Sequence, residues 1–150
     1  MMCDARLFAP QIAAFSGQRA IHVVPISARD TIAALAADIL ANAPSCFALA
    51  GLSMGGIVAM EILRQAPARV ERIALLDTNP LAESPEVRAD REPQIAAVKS
   101  GRLRQVMREE MKPRYLLDGP RKQEIMDICM EMALDLGNDA FLRQSRALQA

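Results

Sequence analysis

The chain has 150 residues, of which 51% are apolar and 24% are charged. These proportions fit one folded domain able to bury a core, and they exclude a disordered chain. Eighteen basic residues balance eighteen acidic ones, and no basic run is interleaved with aromatic residues. The composition therefore argues against nucleic acid as a partner and favours a small molecule.

The sequence also bears on location. The first residues, MMCDARLF, carry an acid where a signal peptide carries basic residues. The longest apolar run, residues 46 to 60, contains three glycines and a serine and is shorter than the ~18 residues that indicate a membrane span. The three cysteines, Cys3, Cys46 and Cys129, are widely spaced. They are expected to be reduced thiols that pack as small apolar residues in a cytoplasmic protein without a membrane partner.

The first third of the chain alternates helix and strand patterns. Asp4 is expected to cap a helix over residues 5 to 15, in which apolar residues recur at roughly helical intervals. Residues 20 to 26, AIHVVPI, are short and β-branched, which predicts a buried strand. Asp30 or Thr31 then caps an amphipathic helix that ends before Pro44.

The middle of the chain continues this alternation. Residues 46 to 50, CFALA, predict a second buried strand, and residues 57 to 66 predict a helix that stops before Pro67. Residues 72 to 77, RIALLD, predict a third strand. Alternating strands and helices indicate an α/β fold with a parallel sheet flanked by helices.

The pattern changes after Asp77. Residues 78 to 93 are rich in proline and charge, and nothing beyond them resembles a strand. Residues 94 to 112 and 120 to 149 are predicted to be helical, with Gly137 just past the end of the clearest segment. The sequence thus predicts an α/β part over residues 1–79 and a helical part over residues 80–150.

The sequence Gly51-Leu52-Ser53-Met54-Gly55 contains the candidate catalytic residues. A GxSxG match alone is weak, but here a predicted strand leads into it and a predicted helix leads out. A nucleophile elbow has this context, with the serine at positive φ on a sharp turn. Glycines two residues on either side, Gly51 and Gly55, would avoid collisions with the crossing chain. Ser53 is therefore the candidate nucleophile.

Met54 is the second candidate site residue. Its backbone N–H begins the predicted helix and is expected to be one donor to an oxyanion, assisted by the helix dipole. The alternative is a glycine-rich turn of a nucleotide-binding βαβ unit. The chain has neither the GxGxxG pattern nor the lysine of a phosphate loop, which disfavours that alternative.

These segments resemble the capped α/β-hydrolase superfamily, over essentially the whole chain. CDARLFAPQIAAF is similar to the helix after the first oxyanion loop, LAGLSMGGIVAMEIL to the elbow, and RVERIALLDTNP to the strand that leads to the cap. The resemblance implies a partial α/β-hydrolase core over residues 1–79 and a helical cap over residues 80–150. It also implies hydrolysis of an ester or related acyl bond by a Ser, acid and His triad.

The triad needs a base, and the chain contains one histidine. In the family the histidine lies far downstream of the serine, so the resemblance implies that it and the usual acid lie beyond residue 150. The first strands and the HG-type oxyanion loop would precede Met1. The chain is therefore expected to be a fragment. The missing strand would lie between those predicted for residues 20 to 26 and 46 to 50.

Two residues compete for triad roles. His22 lies about four residues from the carboxyl edge of its predicted strand, at ~3.3 Å each, and is interpreted as structural. Asp77 ends the third predicted strand, where some members of the superfamily carry their acid. The favoured interpretation is that Asp77 binds the backbone of its own DTNP turn.

Four methionines of the second half are helical neighbours in pairs: Met107 with Met111, and Met126 with Met130. They are interpreted as packing residues, and a flexible thioether lining for an apolar acyl group is the alternative.

The leading hypothesis is thus a serine hydrolase that acts on a small ester or related acyl substrate, impaired in this chain and requiring neither a metal nor an organic cofactor. An acyltransferase, a thioesterase or a C–C bond hydrolase on the same scaffold is one alternative. A non-catalytic fragment or binding module is the other.

Overall fold

The structure, a computed structural model, describes residues 1–150 apart from the side chain of Arg114. Its elements in chain order are α1 (Ala9–Phe15), α2 (Ile32–Asn42), β1 (Phe47–Leu52), α3 (Met54–Gln65), β2 (Val70–Leu76), α4 (Pro85–Lys99), α5 (Leu103–Gln105) and α6 (Lys122–Gln149). Short 3-10 turns cover Ala5–Phe8, Pro67–Arg69 and Lys112–Arg114, and a π-helical segment covers Val106–Met111. The chain is therefore a mixed α/β structure with a small sheet.

The predicted helix caps are confirmed. The Asp4 carboxylate accepts a hydrogen bond from the Arg6 N–H at 2.9 Å, at the start of the 3-10 turn that leads into α1. Thr31 Oγ1 accepts from the Ala34 N–H at 3.2 Å and caps α2. Both side chains satisfy backbone donors that the first turn of a helix leaves without an acceptor.

The sheet is parallel, as predicted, and the described residues give it two strands. β1 and β2 pair from Phe47 opposite Val70 to Leu52 opposite Leu76. The sequence predicts β1 over residues 46–50, and β1 covers Phe47–Leu52. It predicts β2 over residues 72–77, and β2 covers Val70–Leu76. Phe47 and Leu49 pack with α2 and α3, whereas residues of the other face, such as Ala48 and Ala74, are exposed.

The predicted strand over residues 20 to 26 is wrong, because this segment is irregular and mostly exposed. Side chains of α6 bond to the end of the segment: Gln144 Nε2 donates to the Ile26 carbonyl at 3.1 Å, and Arg143 Nε donates to the carbonyl of the next residue, Ser27, at 2.6 Å. Pro25 has no N–H to donate. Neither β1 nor β2 pairs with the segment, and β-branched residues without a neighbouring strand gain no ladder hydrogen bonds.

The second half contains no strand among the described residues, as predicted. The prediction of one helix over residues 94 to 112 is wrong, because α4 ends at Lys99 and α5 begins at Leu103. α4 also begins earlier than predicted, at Pro85, where Ser84 Oγ accepts from the Val87 N–H at 3.4 Å. Proline is favoured in a first turn. Pro93 lies inside α4, so the loss of one helical hydrogen bond there is tolerated.

The last predicted helix, residues 120 to 149, begins at Lys122. Gly137 has φ 75° and ψ −179°, so it interrupts the helical backbone at the position where the sequence predicts a stop. Only glycine adopts these angles readily. The chain becomes helical again directly after it, and α6 is therefore kinked.

Two clusters of buried apolar side chains form the core. The first joins α2, α3 and the sheet and includes Ala147 from the end of α6. The second joins α4, α5, the π-helical segment and α6, and it includes Met2. The first cluster thus contains a residue from the second half of the chain, and the second cluster contains one from the first half. The division of the chain at residue 79 stays a prediction.

The cysteines and methionines differ in how far they match their expected packing roles. Met107, Met111 and Met130 are buried in the second cluster, and Met126 packs against it, which confirms packing for this set. Of the three unpaired cysteines, Cys129 is buried, Cys3 is half-buried and Cys46 is exposed. The expectation that all three pack is therefore wrong for Cys46, which precedes β1 in a loop.

Arg69 ties the start of β2 to the end of α2. Its Nη1 donates to the Leu40 carbonyl at 2.9 Å, and its Nη2 donates to the Ala43 and Pro44 carbonyls at 2.7 Å each. Its guanidinium also lies 5.7 Å from the centre of the Phe47 ring. A cation is favoured at a helix C-terminus, where carbonyls lack partners.

Glu61 on α3 generates a pH-dependent prediction. Hydrogen bonds from Arg64 and then from Gln65 lower the pKa of the Glu61 carboxyl from 4.5 to about 2. Gln65 Nε2 also donates to the Ala33 carbonyl of α2 at 3.0 Å. A depressed pKa stabilises the fold above the unfolded value, and that stability is lost as pH falls from 4.5 towards about 2.

Glu61→Gln is therefore expected to be less stable than wild type near neutral pH, and the difference is expected to vanish through this acidic window. Urea unfolding from about pH 6 to about pH 2.5 measures it. Glu110→Gln, at an exposed position of the π-helical segment, is the control. Parallel pH profiles for wild type and Glu61→Gln would contradict the prediction.

Candidate nucleophile elbow

Ser53 occupies a one-residue turn between a strand and a helix. β1 ends at Leu52, α3 begins at Met54, and Ser53 between them has φ 52° and ψ −119°. The predicted positive φ is confirmed. A non-glycine residue in this region stores about 1–3 kcal/mol of strain and persists only where the surroundings hold it.

Gly51 is sterically required, as predicted. A Cβ added to Gly51 would lie 2.3 Å from the Gly55 carbonyl oxygen and 2.6 Å from the Gly56 nitrogen. These contacts are with backbone, which has no rotamer to change, so the strand and the helix could not both keep their positions. The absence of a side chain at Gly51 is what allows α3 to begin directly above β1.

The same expectation is wrong for Gly55. A Cβ added there would meet nothing within 4 Å. The crowded helical position is Gly56, where a Cβ would lie 2.6 Å from Thr78 Cβ. The helix turns by about 100° per residue, so Gly56 rather than Gly55 faces the end of β2.

The backbone of Ser53 is held from the side of β2. Its N–H donates to the Leu76 carbonyl at 2.9 Å. Its carbonyl accepts from Thr78 Oγ1 at 2.8 Å and from the Gly56 N–H at 2.8 Å. The Ser53 side chain is exposed, and no described residue makes a hydrogen bond with its hydroxyl. The hydroxyl is thus free to meet a ligand.

Met54 holds the first position of α3. Its side chain is 2% exposed and packs with the first cluster, which anchors the helix. The first N–H groups of a helix have no intrahelical acceptor and lie at the positive end of its dipole. The Met54 N–H therefore belongs to a set of donors that favours an anion, and its role as an oxyanion donor stays a prediction.

His22 lies in the irregular segment and is exposed. The described residues form no hydrogen bond with its ring. The segment does not pair with β1 or β2, so His22 does not lie on a strand of the sheet that leads to Ser53. Among the described residues, no hydrogen bond joins the candidate serine and the one histidine of the chain.

Asp77 follows β2 directly and has φ 43°. The favoured interpretation, that its carboxylate binds the backbone of the DTNP turn, is wrong, since no hydrogen bond of the described residues involves that carboxylate. Asn79 Oδ1 accepts from the Leu81 N–H at 3.0 Å instead. Asp77 is exposed beside Ser53, because Leu76 pairs with Leu52 in the sheet.

Sequence reasoning missed two residues of the elbow, Gly56 and Thr78. The doubled glycine after Met54 was a signal for the first. No local signal existed for Thr78, because its contact with Ser53 spans 25 residues and depends on the parallel pairing of β1 and β2.

A pocket of 310 Å³ lies in the second half of the chain, between α6 on one side and α5 with the π-helical segment on the other. Met126, Met130 and Leu134 give it an apolar side.

The described residues include no group of His, Cys, Asp and Glu arranged to hold a metal ion. Within the same residues, no helix combines the length and apolarity needed to cross a membrane.

Comparison with known proteins adds no assignment. No protein-family model matches this sequence, and no curated protein matches it significantly.

The glycines of the elbow provide a matched pair for mutation. Gly51→Ala is expected to lower the free energy of unfolding by about 3 kcal/mol or more, because overpacking against fixed backbone costs this much. Gly55→Ala is expected to be neutral or to stabilise by up to about 1 kcal/mol, since alanine is the better helix former and has open space. Urea unfolding of both variants measures the difference. Equal effects would contradict the assigned backbone contact.

Proposed function

We propose that the protein is a serine hydrolase of the capped α/β-hydrolase type, acting on a small ester or related acyl substrate. Ser53 is the nucleophile, and the Met54 N–H is one donor to the oxyanion that forms when Ser53 attacks the acyl carbon. The base of the proposed site is a group other than His22, and no residue is assigned as the triad acid. No metal or organic cofactor takes part.

One observation carries the proposal: Ser53 has φ 52° and ψ −119° between a parallel strand and a helix. Strained backbone costs free energy, and residues that keep it cluster at active sites and ligand clamps. Gly51 supports this, because its missing side chain is what permits the turn. A hydroxyl at the start of a helix, beside N–H donors, is arranged for acyl transfer.

A serine hydroxyl needs a base to become an effective nucleophile. The position of His22, in an exposed and unpaired segment, supports a base from elsewhere. Without the base, a site retains at most the effects of binding and oxyanion stabilisation, about 10³- to 10⁴-fold over water. The chain alone is therefore expected to hydrolyse p-nitrophenyl esters hardly at all and to react slowly with a fluorophosphonate probe.

The same elbow would serve an acyltransferase, a thioesterase or a C–C bond hydrolase, since a scaffold does not fix the reaction. A cytoplasmic location is part of the proposal. It is supported by the three unpaired cysteines, which fit a reducing compartment.

The test restores the missing base chemically. A hindered imidazole, 2-methylimidazole, is added to the 150-residue chain with p-nitrophenyl acetate, and intact-protein mass spectrometry follows acetylation of Ser53. The rate of acetylation is expected to rise with the imidazole concentration, because the added base can take the proton of the serine hydroxyl. Peptide mapping assigns the modified residue.

Two variants control this experiment. Ser53→Ala is expected to abolish the imidazole-dependent acetylation, and His22→Ala is expected to leave it unchanged. Equal acetylation of wild type and Ser53→Ala would overturn the proposal and favour a non-catalytic binding module. Robust turnover without imidazole that disappears in His22→Ala would show that His22 is the base.

A further inference from the structure

We propose that Thr78 is a positioning residue that holds Ser53 in its strained conformation, through a hydrogen bond from its hydroxyl to the Ser53 carbonyl. This inference rests on the proposed function for its catalytic consequence. The effect on the backbone of Ser53 stands on the geometry alone. The Thr78 hydroxyl bonds the backbone carbonyl of Ser53, so Thr78 acts through Ser53.

The argument begins with the two polar backbone groups of Ser53. The N–H donates to the Leu76 carbonyl at 2.9 Å, and the carbonyl accepts from Thr78 Oγ1 at 2.8 Å. Both contacts come from the carboxyl end of β2, one from its last residue and one from the turn after it. Two bonds on opposite sides of one residue restrict both of its backbone angles.

The carbonyl bond from Thr78 differs from the other bonds in being made by a side chain. The Ser53 carbonyl also accepts from the Gly56 N–H at 2.8 Å, but that bond lies within the first turn of α3 and moves with it. The Thr78 bond fixes the elbow to the sheet. Removal of the hydroxyl would leave the carbonyl still paired, so the fold should persist.

Gly56 provides a second, independent observation. A Cβ at Gly56 would lie 2.6 Å from Thr78 Cβ and from Thr78 Oγ1. The Thr78 side chain therefore packs flat against the first turn of α3, in space that only glycine leaves open. Contact of the hydroxyl with Ser53 and of the side chain with Gly56 places one threonine against both the turn residue and the first turn of α3.

Asp77 lies between the two contacts of β2 and has φ 43°. The chain thus leaves β2 through a residue with positive φ, and the next residue, Thr78, donates to the Ser53 carbonyl. The residues with positive φ that follow β1 and β2 are therefore linked through Thr78 and through the bond from the Ser53 N–H to the Leu76 carbonyl. Strain of this kind persists when the surroundings over-determine it.

The test compares Thr78→Val, which removes the hydroxyl at nearly constant volume, with Thr78→Ser, which keeps it. The three-bond HN–Hα coupling and backbone chemical shifts of residue 53, measured by NMR, report its φ. The acetylation assay with 2-methylimidazole reports reactivity, and thermal unfolding reports stability. Asn79→Ala, which removes a bond elsewhere in the same turn, is the control.

Thr78→Val is expected to shift the NMR signals of Ser53 and to slow its acetylation by about 10- to 100-fold, the range for small misplacements of a reacting group. Thr78→Ser and Asn79→Ala are expected to match wild type in both measurements. Thr78→Ala is a second hydroxyl-free variant in case the valine protein does not fold.

The outcomes separate this inference from the proposed function. Unchanged signals of Ser53 in a folded Thr78→Val protein would overturn the positioning role, and so would a Thr78→Ser protein that behaves like Thr78→Val. If the signals shift as expected but wild-type Ser53 is never acetylated, the hold on the backbone is supported and the proposed function is the part that fails.

Discussion

The close approach of β1 and α3 at Gly51 is the constraint on which the rest of the structure depends. The Gly51 α-carbon lies so near the first turn of α3 that even a methyl group would collide with backbone. This proximity lets the chain pass from strand to helix through a single residue. Ser53 has a positive φ, because this one residue makes the whole change of direction from strand to helix.

The surroundings of the elbow keep this strain in place. On one side, Met54, Val58 and Ile62 of α3 bury their side chains against α2. On the other side, β2 bonds the N–H and the carbonyl of Ser53. A helix packed on one face and a strand paired on the other leave Ser53 little freedom to relax. The exposed hydroxyl of Ser53 is consequently held by packed and paired elements, which the proposed role as a nucleophile would require.

The sheet itself is covered unequally. The face that carries Phe47 and Leu49 packs on helices, whereas Leu76 is 47% exposed and the alanines of the other face are open. Parallel strands are usually covered on both faces. Residues 20 to 26, which the sequence predicts as a strand, are bound instead by the end of α6: Gln144 donates to the Ile26 carbonyl, and Arg143 donates to the carbonyl of Ser27, the next residue. Two backbone carbonyls there accept hydrogen bonds from helix side chains and not from a neighbouring strand.

The same end of α6 joins the two halves of the chain. Gln144 accepts from the Met2 N–H at 2.8 Å, and Ala147 enters the cluster around α2 and α3. Met2 in turn packs with the helices of the second half. The end of α6 therefore contributes to the cluster around α2 and α3, while earlier residues of the same helix belong to the second cluster.

The sequence by itself determined the local features of this protein. Asp4, Thr31 and Gly137 predicted helix boundaries because capping and left-handed glycine angles depend on neighbouring backbone alone. The strand, helix, strand order around Ser53 predicted the parallel pair, because a helix that connects two strands of one sheet makes them parallel, and the GxSxG turn predicted the positive φ. Only the tertiary structure decided that Gly56 rather than Gly55 is the crowded glycine of α3, and that Thr78 bonds to Ser53. It also decided that Asn79 rather than Asp77 bonds the backbone of the turn after β2, and that residues 20 to 26 are irregular. Each of these depends on contacts between residues distant in the chain, and no local pattern carries that information.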